Sequence, residues 1–449
     1  MAKPRPPLPP GPYLVIGLAR SGQAAALALR GRGAEVIGCD AGTPADPPLA
    51  VAAGRLAQAG VEVLLDAPGD ADALSRKART VIKSPGVPQS AAVVAAARAR
   101  GLPVLGELEL AWRLLPNEFV AVTGTNGKTT TTEWVGHIHR EAAQRAVVVG
   151  NVGIAASSLV GMVAPDVTVV CEASSFQLED TEAFAPEAAV LLNLAPDHLD
   201  RHGSYGRYVA AKLRIFANQG NDDLAIAPAG LELEDLGGCA RRVLFGVGDE
   251  AELQDREGYL WWDQEPLIGV QELALPGDHN RQNAMAAAAV CLARGLDRGA
   301  VVSGLRSFQG VAHRLELIAV RDGVAYVNDS KATNVASTLV ALRTYRAGVH
   351  LIAGGRGKQQ DFSPLAPLVA DRCEAVYLIG EAAPQLADAI ADAGVPVRDV
   401  RELGRAVAAA RAAAREGETV LLSPACASYD QYRDFEARGE HFRALVERG

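Results

Sequence analysis

Residues 118–132, EFVAVTGTNGKTTTT, constrain the fold more than any other stretch of this chain. The apolar run from Glu118 to Val122 reads as a buried strand. It breaks into the turn Gly124-Thr125-Asn126-Gly127, and Lys128, Thr129 and Thr130 then open a helix. A strand that enters a helix this way belongs to a largely parallel α/β sheet, with the turn at the strand's carboxyl end. Glycines there let backbone N–H groups close around phosphate oxygens, and the helix adds the positive end of its dipole. Lys128 is suited to β- and γ-phosphates, and the Thr129 hydroxyl to Mg2+. One glycine is out of place. The pattern G-x-x-x-x-G-K-[ST] wants it at 122, where Val122 stands, and Gly124 comes two residues late. The plain alternative is a glycine-rich strand-to-helix turn with a surface lysine.

The alternation continues on both sides. Upstream, YLVIGLARSGQAAALALRGRGAEVIGCD reads as strand, glycine turn, Ala/Leu helix and strand, a βαβ unit. Further strands are expected near 61–65 and 80–83. Downstream, strands are expected at 146–150, 167–172 and 188–193, then a looser region over 219–276 with a hairpin in YLWWDQEPLIGV, then an Ala-rich helix over 280–294. A third series follows at 323–327, 349–353, 375–379 and 419–423. At 449 residues the chain is too long for one ordinary core and is read as three domains. The fold class is α/β: a Rossmann-like domain over 1–106, a central P-loop-type ATPase domain with a mostly parallel sheet over 107–310, and a second Rossmann-like domain over 311–449.

Composition narrows the function. A formal net charge of −9 argues against a nucleic-acid binder, which needs a basic face, but leaves room for one locally basic nucleotide pocket. None of the six cysteines forms a C-x-x-C pair, and they are read as reduced thiols of a cytoplasmic protein. The proline-broken start MAKPRPPLPPGPY has no apolar core of a signal peptide, and no apolar run approaches the ~20 residues of a membrane span.

Polar residues gather where the strands end, which is where ligands bind in doubly wound sheets. Glu172, a hard oxygen ligand suited to Mg2+, closes VTVVCE and is followed by Ser174 and Ser175. The next strand delivers Asp197, His198, Asp200, Arg201 and His202, and Lys212 follows on a helix; alone it reads as a solvated lysine. In the first domain, Gly17-Leu18-Ala19-Arg20-Ser21-Gly22 resembles G-x-G-x-x-G with Ala19 in the middle. Its Cβ is expected to crowd a diphosphate, and Asp40 falls where a ribose-binding acid sits. A nicotinamide-dependent oxidoreductase is one reading of that turn, but it leaves Lys128 unexplained. The third domain places Asn328 to Asn334, Gly354 to Lys358 and Ser423 to Ser428 at strand ends, a ligand crevice.

Taken as a set, TGTNGKTT, DHLDRHGSY with AAKLRIF after it, GDHNRQNAMAA, HRLE and NDSKATN resemble the Mur ligases of peptidoglycan synthesis along essentially the whole chain. LLSPACASYDQYRDFEARGEHF resembles the D-glutamate-adding branch, and the DNPR motif of the diaminopimelate-adding branch is absent. The resemblance implies an ATP-dependent amide ligase acting in the cytoplasm as a monomer on two small molecules, UDP-N-acetylmuramoyl-L-alanine and D-glutamate, by way of an acyl phosphate. A folylpolyglutamate synthase-like enzyme shares several of the same motifs. Implied cofactors are ATP and two Mg2+ ions, with Lys212 carbamylated. Implied roles follow residue by residue. The loop Gly124, Thr125, Asn126 and Gly127, with Lys128, Thr129 and Thr130, would hold the ATP phosphates, and Thr129, Glu172, His198 and Lys212 would be metal ligands. Asn280, Arg314 and Asp329 match the adenine and ribose side. Ser21, Asp40, Ser84 and Gly86 fall in UDP-binding loops, and Asn151 in the substrate site. Lys331, Thr333, Lys358, Ser428 and Phe435 match the D-glutamate side. Closure of the C-terminal domain on substrate is also expected.

Overall fold

The computed structural model describes residues 3–66, 71–151, 153–231, 237–357 and 360–448. Lys358 therefore lies outside the described residues. The chain forms two compact units, Met1–Gln309 and Gly310–Gly449.

The first unit holds two sheets. In the first, β1 (Tyr13–Ile16), β2 (Val36–Cys39), β3 (Glu62–Leu64), β4 (Thr80–Lys83) and β5 (Val104–Gly106) run parallel in the order β3-β2-β1-β4-β5. Period-two alternation sorts its side chains. Tyr13 and Val15 join Leu29 and Ile82 in one apolar layer, while Leu14 and Ile16 join Val81 and Val94 in the other. Both faces are thus covered, as a parallel sheet requires.

The second sheet has nine strands: β6 (Phe119–Thr123), β7 (Ala146–Gly150), β8 (Thr168–Glu172), β9 (Ala188–Leu191), β10 (Leu224–Pro228), β11 (Arg241–Gly246), β12 (Leu253–Arg256), β13 (Tyr259–Trp262) and β14 (Glu265–Gly269). Their order is β14-β13-β12-β11-β10-β9-β6-β8-β7. It is parallel from β7 to β12 and ends in the antiparallel β12, β13 and β14, the last two forming the expected hairpin. The phosphate-loop strand β6 lies between β8 and β9, so the ends of those two strands flank the loop. The helix Asp278–Ala293 packs against the helix Lys128–Glu141 and buries every residue from Asn283 to Cys291. Its alanines allow that close approach.

The two sheets are joined by buried polar contacts rather than by a loose linker. The helix Glu107–Leu114 follows β5 directly and carries two buried glutamates. Glu109 accepts from the backbone N–H groups of Glu182, Ala183 and Phe184, and Glu107 accepts from the N–H and hydroxyl of Ser157. Burial raises the Glu107 carboxyl above its usual range. Beside them, Lys83 at the end of β4 reaches Asp180 at 2.7 Å, with both side chains buried.

The second unit carries β15 (Glu316–Arg321), β16 (Val324–Asn328), β17 (Val349–Gly354), β18 (Cys373–Ile379), β19 (Val397–Arg401) and β20 (Thr419–Leu422), in the order β15-β16-β20-β17-β18-β19. Only the edge pair β15/β16 is antiparallel. Among the described residues, no helix is long and apolar enough to cross a membrane. The α/β architecture with three sheets matches the sequence reading.

Breaking a buried ion pair by removing one partner costs ~3–5 kcal/mol, because the other charge is stranded. Asp180→Ala should therefore lower the unfolding free energy by about that amount in a urea titration, and pairing Lys83→Met with Asp180→Leu should recover most of it.

Candidate active site at the strand ends of the first unit

Register explains the displaced glycine. Val122 is still in the strand, paired with Glu172 of β8 on one side and Val190 of β9 on the other. The turn begins two residues later, so the glycine is needed at 124. There φ is +156°, and a Cβ would lie 2.9 Å from the Leu192 Cβ. Gly127 has φ of +82°, and its Cβ would meet the Asn283 Oδ1 at 2.1 Å. No side chain fits at that position.

The loop is held by polar contacts from several elements. Asn126 N–H donates to Asn193 Oδ1 at 2.9 Å, and Thr125 Oγ1 lies 2.9 Å from the Tyr208 hydroxyl. Thr131 Oγ1 is 3.3 Å from Asn283 Oδ1, and Asn283 Nδ2 donates to Asn280 Oδ1 at 3.4 Å. Thr129 and Thr130 are buried in the first turn of the helix. Lys128 folds back, its Nζ donating to the carbonyls of Gly124 and Thr125, both at 2.9 Å.

Lys212 reaches the same place. It sits on the helix Tyr205–Leu213, buried, and its Nζ donates to the Gly124 carbonyl at 2.7 Å and lies 4.6 Å from the Tyr208 ring centroid. Burial, reinforced by the neighbouring Lys128, pushes its pKa down to about 7, with Asp197 and Glu172 opposing. Glu172 is buried where the register with Val122 puts it, beside the loop, and accepts from Asn151 Nδ2 at 3.0 Å. The structure therefore brings Lys128, Glu172, Asn151 and Lys212 to one strand-end cluster with the loop. His198 is half exposed, with φ of +50°; its Nε2 lies 3.5 Å from Asp197 and its ring 4.9 Å from that of Phe176. Among the described residues, no three His, Cys, Asp or Glu side chains converge on one metal position. An Mg2+ ion would have to draw on the Thr129 hydroxyl and a modified Lys212 as well as Glu172 and His198. A buried amine whose pKa falls to about 7 fits that requirement, because carbamylation consumes a neutral amine.

A cleft of about 330 Å³ opens in the same unit, lined by Gly17, Ala19, Arg20, Ser21, Asp40, Ser84, Pro85, Gly86, Val87, Asn151 and Gln177. It gathers the four predicted residues of the first domain with Asn151 from the end of β7. Ala19 adopts φ −69° and ψ −171°, an ordinary extended conformation, so alanine needs no strain there. Asp40 stands in this cleft at the end of β2. Its carboxylate accepts from the N–H of Leu18 at 2.7 Å and of Gly42 at 2.8 Å, closing the glycine turn.

The second unit has its own strand-end cluster. Because Asn328 pairs with Leu422, the loops after β16 and β20 are neighbours. Asp329 accepts from Ser423 Oγ at 2.7 Å and from Leu315 N–H at 3.2 Å, and burial raises its pKa to about 7. Lys331 N–H donates to the His313 carbonyl, Thr333 N–H to the Lys331 carbonyl, and Arg314 is half-buried at the isolated bridge Val311/Arg314. Ser428 is buried, and the Phe435 carbonyl accepts from Ser330 Oγ at 2.8 Å. Sequence reasoning missed Arg438. Its buried guanidinium donates to the Ser330 carbonyl at 2.9 Å and the Cys426 carbonyl at 3.2 Å, and desolvation lowers its pKa to about 10. It also missed Asn283, although it lies in the quoted motif GDHNRQNAMAA, and Tyr208, which stands between two quoted motifs; Tyr208, four residues before Lys212 on one helix, carried the better signal.

Comparison with known proteins agrees with this architecture. Residues 122–291 match the Mur ligase middle domain, and residues 313–426 the Mur ligase glutamate ligase domain. UDP-N-acetylmuramoylalanine–D-glutamate ligase of Pelotomaculum thermopropionicum is 42% identical, over 96% of each chain. The enzyme of that name from Acidobacterium capsulatum is 41% identical, over 96% of this chain and 95% of its own. In fold, the crystal structure of UDP-N-acetylmuramate-alanine ligase from Thermotoga maritima superposes with a TM-score of 0.57 at 22% identity, over 97% of this chain and 98% of that one. Escherichia coli FolC in complex with DHPP and ADP gives 0.55 at 17% identity, over 75% and 90%.

Gly127→Ala should raise the dissociation constant for ATP by at least ~10-fold, since the Cβ strikes Asn283 and the positive φ disfavours any side chain. Isothermal calorimetry with ATP checks this, with Gly206→Ala, at a position where a Cβ meets open space, as the control.

Proposed function

The chain belongs to the Mur ligase family, and we propose that Lys128, Glu172 and Lys212 carry the phosphoryl-transfer half of its reaction. The protein is an ATP-dependent amide ligase that adds D-glutamate to UDP-N-acetylmuramoyl-L-alanine in peptidoglycan synthesis. Identity near 40% over 96% of both chains supports that activity. The single observation that supports the site assignment is the convergence of Lys128 and Lys212 on the Gly124 carbonyl, beside Glu172.

The chemistry proceeds in two halves. The L-alanine carboxylate attacks the γ-phosphorus of ATP, ADP leaves, and an acyl phosphate forms. The amine of D-glutamate then attacks the acyl carbon, and phosphate departs as the amide bond closes. Phosphoryl transfer rests on positioning and on charge neutralisation. In this reading Lys128 turns from its loop carbonyls to the β- and γ-phosphates, and the N–H groups of the turn bind their oxygens. Thr129, Glu172, His198 and carbamylated Lys212 would hold Mg2+, which when bound would supply further neutralisation of charge. Ser21, Asp40, Ser84, Gly86 and Asn151 bind the UDP-linked substrate, and Asp40 also shapes that cleft through its turn. Asn280, Arg314 and Asp329 serve the nucleoside of ATP, and Lys331, Thr333, Lys358, Ser428 and Phe435 serve D-glutamate. The protein acts as a cytoplasmic monomer.

The lysine chemistry sets a pH signature. The buried amine is neutral above its pKa of about 7 and charged below it, so carbamate content and activity should rise together as pH increases through that value at fixed bicarbonate. Carbon-13 NMR of protein equilibrated with labelled bicarbonate reads the carbamate directly, and no such signal should remain in Lys212→Ala. That variant should lose at least ~10²-fold in kcat, the scale of one lost electrostatic stabiliser. Full activity in Lys212→Ala removes the carbamate from the mechanism.

Phosphate release with UDP-N-acetylmuramoyl-L-alanine and a panel of amino acids tests the assignment as a whole. Turnover should be strong with D-glutamate only. Strong turnover with L-glutamate or diaminopimelate, and none with D-glutamate, overturns it.

A further inference from the structure

One wall of the 330 Å³ cleft is the loop Ser84–Val87, and two cations from different elements hold its carbonyls. Arg201 donates from Nη2 to the Pro85 carbonyl at 2.6 Å and the Val87 carbonyl at 2.9 Å, and its Nη1 is 3.5 Å from that of Gly86. Lys83 Nζ donates to the same Val87 carbonyl at 2.7 Å while pairing with Asp180. Neither cation is spent on a carboxylate in the cleft.

Arg201 also faces the phosphate-loop side. Its guanidinium lies 4.0 Å from the centroid of the Phe176 ring. Phe176 stacks on His202 at 5.1 Å with planes 8° apart, and the His198 ring is 4.9 Å away. His202 in turn is 3.0 Å from Ser175 Oγ. Phe176 belongs to the short helix Ser175–Leu178, three residues beyond Glu172, and its neighbour Gln177 lines the cleft. A planar fork bonded to three successive carbonyls and seated on a ring keeps its contacts only while both segments stay in register.

We propose that Arg201 is a positioning residue that couples the cleft to the ATP side: filling the cleft with the UDP-linked substrate fixes Ser84–Val87 and, through Arg201 and Phe176, the backbone that bears His198. The proposal rests on the ligase reading of the two sites. Coupling of this kind is reciprocal, so each ligand must tighten the other by one factor. The Lys83 contact holds the loop when Arg201 is lost, so the cleft survives while its link does not.

Calorimetry tests it, with UDP-N-acetylmuramoyl-L-alanine and a non-hydrolysable ATP analogue plus Mg2+ titrated each alone and each in the presence of the other. In the wild-type protein each ligand should tighten the other about tenfold, within the usual range of such coupling. In Arg201→Ala that factor should fall to about one, with the affinity for the analogue alone essentially unchanged. Arg201→Lys should lie between, since an ammonium cannot span the three carbonyls. If Arg201→Ala does not fold, Phe176→Leu serves instead: it keeps the carbonyl bonds, removes the ring, and should lose the coupling. Undiminished coupling in the folded variant, or none in the wild type, overturns the proposal while a wild type that turns over D-glutamate leaves the ligase reading standing. A wild type that neither binds the UDP-linked substrate nor turns it over defeats both.

Discussion

Two lysine ammonium groups meet at one carbonyl oxygen. Lys128 and Lys212 both donate to Gly124, at 2.9 Å and 2.7 Å. Groups sharing one acceptor lie within roughly 5 Å of each other, and at an effective dielectric near 20 two full charges there repel by ~3 kcal/mol. Burial adds to the cost, and Lys212 is the more buried partner. Desolvation and the neighbouring Lys128 relieve the conflict by lowering the Lys212 pKa to about 7, so the amine gives up its charge more readily. A neutral Lys212 no longer competes with Lys128 as a second cation at the Gly124 carbonyl, so the phosphate loop is organised around a repulsion that desolvation relieves.

The repulsion depends on strand register. Val122 stays in β6 because β8 and β9 both pair with it, and this postpones the first loop glycine to 124. It also sets Glu172 beside the loop and lets Gly150 approach so closely that its Cβ would lie 2.1 Å from the Glu172 carbonyl. Asn151, the next residue, then reaches the Glu172 carboxylate. One pairing pattern thereby ties the loop, the buried Glu172 and the rim of the neighbouring cleft together.

These relations mark the limit of what the chain itself discloses. Parallel strands written as short apolar runs were legible: 80–83, buried throughout, and 146–150, at the edge of its sheet, fall where expected. Strands of mixed composition were not. β15 and β19, ELIAVR and VRDVR, are half exposed and mix charge with apolar residues, so no period stands out. Lys128 was legible because its partners are adjacent in sequence. Lys212 was not, because desolvation and a like charge 84 positions away perturb it, and neither leaves a local mark. Asp40 stood at the expected place, yet its two carboxylate oxygens serve backbone N–H groups, which spacing alone does not reveal.

Buried cations show the same division of labour in the second unit. Arg438 sits in a helix whose sequence, FEARGEHFRALVE, reads as an amphipathic surface. In the fold it is buried and bonds to the carbonyls of Ser330 and Cys426, in the loops that follow two neighbouring strands. An arginine used this way cannot simply be replaced by lysine, because the planar fork serves several acceptors at once. On a protein of net charge −9, such cations act chiefly on the groups around them, since the summed long-range field stays negative. They neutralise the carbonyl dipoles that would otherwise face the strand ends. Recognition of highly charged substrates by an acidic protein then becomes a matter of where a few cations are buried, not of how many the chain contains.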